Sequence, residues 1–150
     1  MGLKLLFICT GNTCRSPMAE GLATKMFGDS VQVCSAGMEA GVGESASTLA
    51  QEVLNEQNVD ISGHRSRRIR PALMADADWI IPMTQAQEEA LNHLFPQYVD
   101  KTRALGDWGD QHKDVPDPWG GSHDVYRQTA YEIGELLSVL KEHVRDRSDL

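Results

Sequence analysis

An apolar strand, a short polar loop and a helix follow one another near the start of the chain, and this succession restricts the fold most. Residues 4–9 are a nearly continuous apolar run, which is typical of a strand buried on both faces. Pro17 suits the first turn of a helix, because its missing N–H would have no partner there. Apolar residues then recur at helical spacing up to Gly28, a natural helix end. These residues predict one strand–loop–helix unit of an α/β protein.

The rest of the chain continues this alternation. Short apolar runs predict further strands at residues 31–35 and 78–83, and a weak last strand at 101–105. Apolar periodicity predicts helices around residues 49–54 and 86–95, and a long final helix with Ser122 as its N-cap. Residues 106–121 have no apolar period, and loops of that length in compact domains are usually functional or disordered. We expect a single α/β domain over residues 1–150, with a parallel sheet and helices on both faces.

Composition and charge exclude several classes of function. Hydrophobic residues make up 41% of the chain, enough for a buried core, and no apolar run approaches the roughly 20 residues of a membrane span. The net charge of -8 disfavours binding to nucleic-acid phosphates or anionic membranes. The chain has three cysteines, which is an odd number and too few for a disulfide scaffold, and this indicates a reducing compartment. We therefore expect a cytoplasmic protein with no nucleic-acid and no membrane partner.

The loop after the first strand has the composition of a phosphate site. It reads Cys-Thr-Gly-Asn-Thr-Cys-Arg-Ser-Pro over residues 9–17. Gly11 and Asn12 tolerate positive φ, so successive N–H groups can turn inward around an anion, and the next helix adds its positive end. The guanidinium of Arg15 can bind two phosphate oxygens at once. The Gly-Lys-Ser/Thr sequence of nucleotide-binding loops is absent.

Cys9 distinguishes this loop from a simple anion site. A helix N-terminus and a nearby cation favour the thiolate form of a cysteine, and the thiolate is the nucleophile. We expect the Cys9 sulfur to face the bound phosphorus. The alternative is a core thiol at a strand end, as many cysteines are.

The loop resembles the signature loop of the low-molecular-weight protein tyrosine phosphatases. The resemblance continues through Ser35-Ala36-Gly37, through residues 63–67 (Gly-His-Arg-Ser-Arg) and to Asp117-Pro118, so it covers essentially the whole chain. It implies a flavodoxin-like fold with about four parallel strands and a phosphate loop after the first. It further implies phosphorylated proteins as substrates and inorganic phosphate as product, with no cofactor and no metal.

The resemblance also assigns catalytic roles. Cys9 attacks phosphorus to form a phosphocysteine, Arg15 stabilises charge on the equatorial oxygens, and Asp117 protonates the leaving group. Asp107, Asp110 and Asp114 share the loop with Asp117 and are the rival acids. The residues assigned to substrate binding are Thr10, Gly11, Asn12, Thr13, Cys14, Arg15, Ser16 and Trp119. The residues assigned to supporting the loop, through Asn12 or the Cys9 sulfur, are Ser16, Ser35 and His64.

Two features resemble the bacterial protein arginine phosphatases of this family. Thr13 stands where phosphotyrosine-specific members usually have an aliphatic residue, and Trp119-Gly120-Gly121 replaces their tyrosine pair. A threonine hydroxyl suits a polar guanidinium, and the Asp117 charge complements it. Met38-Glu39-Ala40 departs from the aromatic pocket wall that family members often have. That departure does not favour phosphoarginine, but the resemblance at Thr13 and at residues 119–121 makes phosphoarginine the predicted substrate, with phosphotyrosine as the alternative.

Other readings of the sequence remain open. An arsenate reductase of the same fold needs further cysteines downstream, and none follows Cys34. A non-catalytic phosphate-binding module would need neither thiol nor general acid. Cys14 either forms a reversible disulfide with Cys9 under oxidants or simply packs. The arginine cluster at residues 65–70 is either a solvated face or a contact for acidic substrates.

Overall fold

The computed structural model describes residues 2–110 and 112–148, and its centre is a parallel sheet. The strands are β1 (Leu3–Cys9), β2 (Val31–Gly37) and β3 (Trp79–Pro82), in the order β2-β1-β3. Both neighbours run parallel to β1, and the last residue of β1, Cys9, lies opposite Gly37. The carboxyl ends of β1 and β2 therefore meet at one edge of the sheet, where open α/β folds bind their ligands.

Across the described residues, five α-helices connect and cover these strands. They are α1 (Arg15–Phe27), α2 (Thr48–Asn55), α3 (Pro71–Asp76), α4 (Gln85–Leu94) and α5 (His123–Ser148). Short 3₁₀ segments occur at Gly28–Ser30, Pro96–Lys101 and Leu105–Asp107. Ser122 caps α5 as predicted, since its Oγ accepts the N–H of Val125. None of the helices in the described part of the chain combines the length and apolar character that a membrane span requires.

The two faces of β1 bury two separate clusters. Leu5, Phe7 and Cys9 point to the face covered by α1, α2 and the apolar stripe of α5. Leu6 and Ile8 point to the opposite face, against α3 and α4. This alternation follows from the period of two in a strand, and burial on both faces explains the continuous apolar run. The prediction of helices on both faces is confirmed.

The prediction of about four strands is wrong, because only three are present in the described residues. The predicted strand at 101–105 starts in a 3₁₀ segment and pairs with β3 through a single bridge, Thr102 to Ile80. The next N–H, that of Arg103, still reaches the Ile80 carbonyl at 2.9 Å. The next parallel link would need an N–H from residue 82 of β3, which is a proline and has none, while the N–H of Ala104 points away from β3 and donates to the carboxylate of Glu88 at 2.6 Å. The chain then enters the 3₁₀ segment Leu105–Asp107.

Candidate active site

A cavity of about 240 Å³ opens at the carboxyl end of β1. Its lining contains most residues that the sequence assigned to catalysis or substrate binding: Cys9, Thr10, Gly11, Thr13, Cys14, Arg15, Asp117 and Trp119. Asn12 and Ser16 are fully buried and lie behind this lining. A larger cavity of about 520 Å³ lies between α1 and residues 58–64, but neither a cysteine nor an arginine lines it. The smaller cavity is therefore the candidate active site on chemical grounds.

The Cys9 sulfur receives two hydrogen-bond donors at the base of this cavity. The N–H of Asn12 donates to Sγ at 3.3 Å, and the hydroxyl of Ser16 lies 2.9 Å from it. The Ser16 oxygen already accepts a hydrogen bond from the Asn12 side chain at 2.8 Å, so its own proton is free to point at the sulfur. Both donors are placed to bind the sulfur of an attacking nucleophile at the base of the cavity.

Asn12 holds the loop in its turned conformation. Its φ is 56°, in the left-handed region, where an asparagine costs less than most residues. Every polar group of its side chain is bonded: Nδ2 donates to the hydroxyls of Ser16 and Ser35, and Oδ1 accepts the N–H of Arg67. Nε2 of His64 donates to its carbonyl at 2.7 Å. Contacts from four positions therefore fix the backbone that forms the anion nest.

Ser35 and Glu20 extend this network away from the sulfur. The Ser35 hydroxyl accepts from Asn12 at 3.0 Å and donates to Oε1 of Glu20 at 2.6 Å. Sequence reasoning found Ser35 but missed Glu20. The available signal was spacing, because Glu20 follows Ser16 by four residues and so shares its face of α1.

Arg15 brings a nearly buried positive charge to the cavity wall. Only 6% of the residue is exposed, and Nη1 donates to the Val115 carbonyl at 3.0 Å. The nearest carboxylate is that of Asp117, whose Oδ2 lies 3.8 Å from Nη2. A buried guanidinium with one carbonyl and one distant carboxylate is incompletely compensated, and an anion in the cavity would complete its pairing. The Val115 carbonyl was not predicted, because every residue has a carbonyl and no side-chain pattern marks it.

Asp117 stands at the cavity mouth in a tight turn. Its Oδ1 accepts the N–H of Trp119 at 3.1 Å, an Asx-type contact that fixes the carboxylate. Gly120 has φ 82°, and the N–H of Gly121 donates to the Pro118 carbonyl at 2.8 Å, which closes the turn. The Trp119 side chain is largely exposed beside the carboxylate. The Trp119 ring is placed to form one wall of the space that the leaving group of a bound phosphate would occupy.

The segment that carries Asp117 is anchored at its start. The Val115 N–H donates to the Met83 carbonyl at 3.0 Å, and Oδ1 of Asp114 accepts the first N–H of α4, from Gln85. His112 lies between Asp107 and Asp114 and contacts both carboxylates. The hydrogen bond with Asp107 raises the pKa of His112, and the negative charge of both carboxylates adds to this effect. Asp107 and Asp114 therefore hold this segment in place, whereas the Asp117 side chain lines the cavity.

Cys14 is the N-cap residue of α1, and its side chain lines the cavity next to two hydroxyl groups. Its sulfur lies 3.3 Å from the Tyr126 hydroxyl and 3.6 Å from Oγ of Ser47. Burial, and next the hydrogen bond with Cys14, raise the pKa of Tyr126 to about 12, so this hydroxyl keeps its proton at neutral pH. Both Cys9 and Cys14 are free thiols in the structure.

Gln87 fixes the other side of the phosphate loop. Its Nε2 donates to Oγ1 of Thr10 at 3.2 Å, while its Oε1 accepts the N–H groups of Met83 and Thr84. Thr84 returns the contact by accepting the Gln87 N–H, which forms a capping box. Sequence reasoning missed Gln87, although the Thr-x-x-Gln pattern at the start of a helix was a usable signal.

Gly37 leaves no room for a side chain behind the loop. A Cβ there would lie 2.7 Å from the Thr10 carbonyl and 2.9 Å from the Asn12 nitrogen, both of them backbone atoms. We expect Gly37→Ala to displace the loop by a few tenths of an ångström and to lower kcat about tenfold. Steady-state hydrolysis of p-nitrophenyl phosphate measures this. Gly63→Ala is the matched control, since a Cβ at Gly63 meets nothing within 4 Å. Equal activity of the two variants would contradict this account.

The comparisons with known proteins agree with this geometry. The sequence matches the family described as low molecular weight phosphotyrosine protein phosphatase over residues 4–149. It is 38% identical to a protein-arginine-phosphatase of Bacillus subtilis, over 95% of this chain and 97% of that one. It is 31% identical to the low molecular weight protein-tyrosine-phosphatase Ptp of Acinetobacter johnsonii, over 94% of this chain and 97% of that one.

A solved structure extends the likeness to the fold. The YwlE arginine phosphatase from Geobacillus stearothermophilus superposes with a TM-score of 0.92 at 35% sequence identity, covering 97% of this chain and 94% of that one. The family match spans nearly the whole chain, and it includes the loop that holds Cys9 and the segment that holds Asp117. The chain therefore belongs to the low molecular weight phosphotyrosine protein phosphatase family, and it is a cysteine-dependent phosphatase.

Proposed function

We propose that this enzyme removes phosphate from phosphorylated side chains of proteins through a phosphocysteine intermediate, with phosphoarginine as the preferred substrate. The observation that carries the proposal is the arrangement around the cavity. A cysteine sulfur with two donors lies at its base, a buried guanidinium lies in its wall, and a fixed carboxylate stands at its mouth. Each of these groups matches one requirement of phosphoryl transfer.

In the first step, the Cys9 thiolate attacks phosphorus. An S–P bond forms as the bond from phosphorus to the leaving nitrogen or oxygen breaks. Asp117, in its protonated form, gives its proton to the departing atom. The Arg15 guanidinium and the loop N–H groups around Asn12 bind the equatorial oxygens, on which negative charge spreads in the transition state. Ser16 stabilises the thiolate before attack and again when the sulfur leaves.

In the second step, water releases the phosphate. The Asp117 carboxylate, now ionised, takes a proton from a water molecule as its oxygen attacks phosphorus. The S–P bond breaks, inorganic phosphate leaves, and Cys9 returns as the thiolate. The same carboxylate therefore serves first as an acid and then as a base. The steps use side chains of this chain and water, and they call for no metal or cofactor.

The preference for phosphoarginine rests on the mouth of the cavity. Thr13 places a hydroxyl in the lining, and the Asp117 carboxylate lies beside the position of the leaving group. The hydroxyl of Thr13 can accept an N–H of the guanidinium, and after proton transfer the ionised Asp117 carboxylate and the leaving guanidinium carry opposite charges. The Trp119 indole can stack on a guanidinium or on a phenyl ring, so it fits both substrates. The arginine phosphatase relatives support the same choice, while the tyrosine phosphatase relative makes phosphotyrosine the alternative.

Replacement of Thr13 tests this preference. We expect the wild-type enzyme to have a higher kcat/KM on phosphoarginine than on phosphotyrosine peptides, and Thr13→Ile to lower that ratio by about tenfold, because an aliphatic side chain leaves the guanidinium donors unpaired. Parallel phosphate-release assays on the two peptides give the ratio of the two kcat/KM values for each enzyme. Thr13→Val, similar in size to threonine, separates the loss of the hydroxyl from a change in volume. An unchanged ratio in both variants would refute the role of Thr13.

The other readings are separable from this proposal. A phosphate-binding module would not hydrolyse p-nitrophenyl phosphate, whereas the proposed enzyme does. An arsenate reductase needs a relay of cysteines, and the sequence has only Cys9, Cys14 and Cys34. We further propose that residues 1–150 form one domain working in the reducing cytoplasm, where Cys9 stays a thiol. Its partners are then phosphorylated proteins, and the charge of -8 disfavours nucleic acid.

A further inference from the structure

A strip of arginines runs beside the sheet edge that carries the cavity. Four arginines occupy the six residues 65–70, in a chain that has 14 basic residues and a net charge of -8. The segment contains no lysine, and arginine is the better partner for carboxylates because its planar guanidinium binds both oxygens. Such a local excess of positive charge on an acidic protein calls for an explanation.

The backbone of this strip is fixed to the phosphate loop. The Arg67 N–H donates to Oδ1 of Asn12, and its carbonyl accepts the N–H of Gly37. Arg68 forms a parallel bridge with Gly37, which in turn lies opposite Cys9. With neighbouring strands about 4.8 Å apart, the Cα of Arg68 lies roughly 10 Å from that of Cys9. The strip therefore lies within reach of residues that flank a phosphorylated side chain bound in the cavity.

The side chains of the strip divide into two kinds. Arg65 and Arg67 have structural contacts: Arg65 donates to the His64 carbonyl at 2.7 Å, and Nε of Arg67 donates to the Ser35 carbonyl at 3.0 Å. Arg68 and Arg70 are exposed and alternate with Ile69, which packs into the core. Neither forms an ion pair within the described residues, where the other pairs involve Lys4, Arg15, Lys113, Arg127 and two histidines.

We propose that Arg68 and Arg70 form a docking site for acidic side chains that flank the phosphorylated residue of a protein substrate. This rests on the proposed function and adds a preference for sequence context. Two exposed guanidinium groups that form no ion pair with any described carboxylate are available to a partner. Carboxylates on the substrate supply the opposite charge, and the strong negative charge elsewhere on the enzyme directs them to this strip.

Peptide pairs test the proposal. Each pair carries one phosphorylated residue, phosphoarginine in the first pair and phosphotyrosine in the second, with either Asp/Glu or Ser/Gln as flanking residues. For wild-type enzyme at about 0.05 M salt, we expect kcat/KM to be about fivefold higher on the acidic peptide than on the neutral one, mainly through a lower KM. Two exposed ion pairs that stabilise the complex by about 0.5 kcal/mol each correspond to this factor. At about 0.5 M salt this advantage should largely disappear, because the Debye length becomes much shorter.

Variants identify the residues responsible. Arg68→Gln/Arg70→Gln should remove the advantage of the acidic peptide and leave p-nitrophenyl phosphate hydrolysis unchanged, while Arg68→Lys/Arg70→Lys should retain most of it. Arg127→Gln/Lys141→Gln removes the same net charge from α5 and is the matched control. Loss of the advantage in that control, or an equal loss on acidic and neutral peptides, would overturn the docking site in favour of a general effect of charge.

The failure of the docking site can be told from the failure of the proposed function. If wild-type enzyme hydrolyses p-nitrophenyl phosphate but treats acidic and neutral peptides alike, the docking site is wrong and the phosphatase remains. If wild-type enzyme hydrolyses nothing, the proposed chemistry is wrong. In that case, fluorescence anisotropy of labelled acidic and neutral phosphopeptides measures binding and tests the docking site. Tighter binding of the acidic peptide that Arg68→Gln/Arg70→Gln abolishes would support the docking site, and equal binding of the two peptides would overturn it.

Discussion

Replacing Cys9 with serine is expected to lower kcat by at least about 10⁴-fold on every phosphorylated substrate. The serine hydroxyl is close to isosteric with the thiol but holds its proton at neutral pH, so the nucleophile is lost while the cavity stays. The donors that now face the sulfur, the Asn12 N–H and the Ser16 hydroxyl, would instead face the new oxygen. Hydrolysis of p-nitrophenyl phosphate, followed to long times, gives the measurement.

The same variant should keep its affinity for phosphate. Arg15 and the loop N–H groups are untouched by the substitution, so inorganic phosphate should bind with a Kd within about threefold of wild type. Isothermal titration calorimetry measures this binding. Cys34→Ser is the matched control, because this cysteine lies on β2, outside the cavity lining, and its loss should leave turnover near wild type. Residual activity of Cys9→Ser above about one-hundredth of wild type would show that another group is the nucleophile.

The sequence predicts those parts of the fold that rest on periodicity and burial. The apolar runs at 4–9 and 31–35 and most of the run at 78–83 are strands in the structure, and the predicted long final helix is α5. Helix α3 was missed, because six residues with one buried side chain provide too short a window for a helical period. The fourth strand does not form because Pro82 of β3 has no N–H for the next link, and the chain turns into the 3₁₀ segment at Leu105.

The candidate site was predictable where side-chain type carries the chemistry. Cys9, Arg15 and Asp117 are predicted from their types and from the resemblance, and the structure brings them together in the lining of one cavity. The missed contacts act through atoms that a pattern of side chains does not mark, such as the Val115 carbonyl and the Arg67 N–H. Sequence shows which groups can react, whereas the backbone atoms that hold them depend on the folded geometry.

Asp117→Asn is expected to lower turnover according to how much the leaving group needs a proton. An amide keeps the size and the Asx-type contact with the Trp119 N–H but cannot donate a carboxyl proton. We expect kcat on phenyl phosphate to fall about 10²–10³-fold, whereas kcat on 2,4-dinitrophenyl phosphate should fall far less, because its phenolate leaves readily without protonation. Spectrophotometric assays on the two esters give both values.

The ratio of these two losses separates acid catalysis from damage to the site. A displaced loop would lower turnover of both esters equally, whereas a missing proton donor spares the better leaving group. Asp110→Asn is the control, since Asp110 is exposed on the same segment and lies outside the cavity lining. If Asp117→Asn leaves phenyl phosphate turnover unchanged, the general acid is another carboxylate of this segment. Asp107 and Asp114 would then be tested next, although both are engaged with His112.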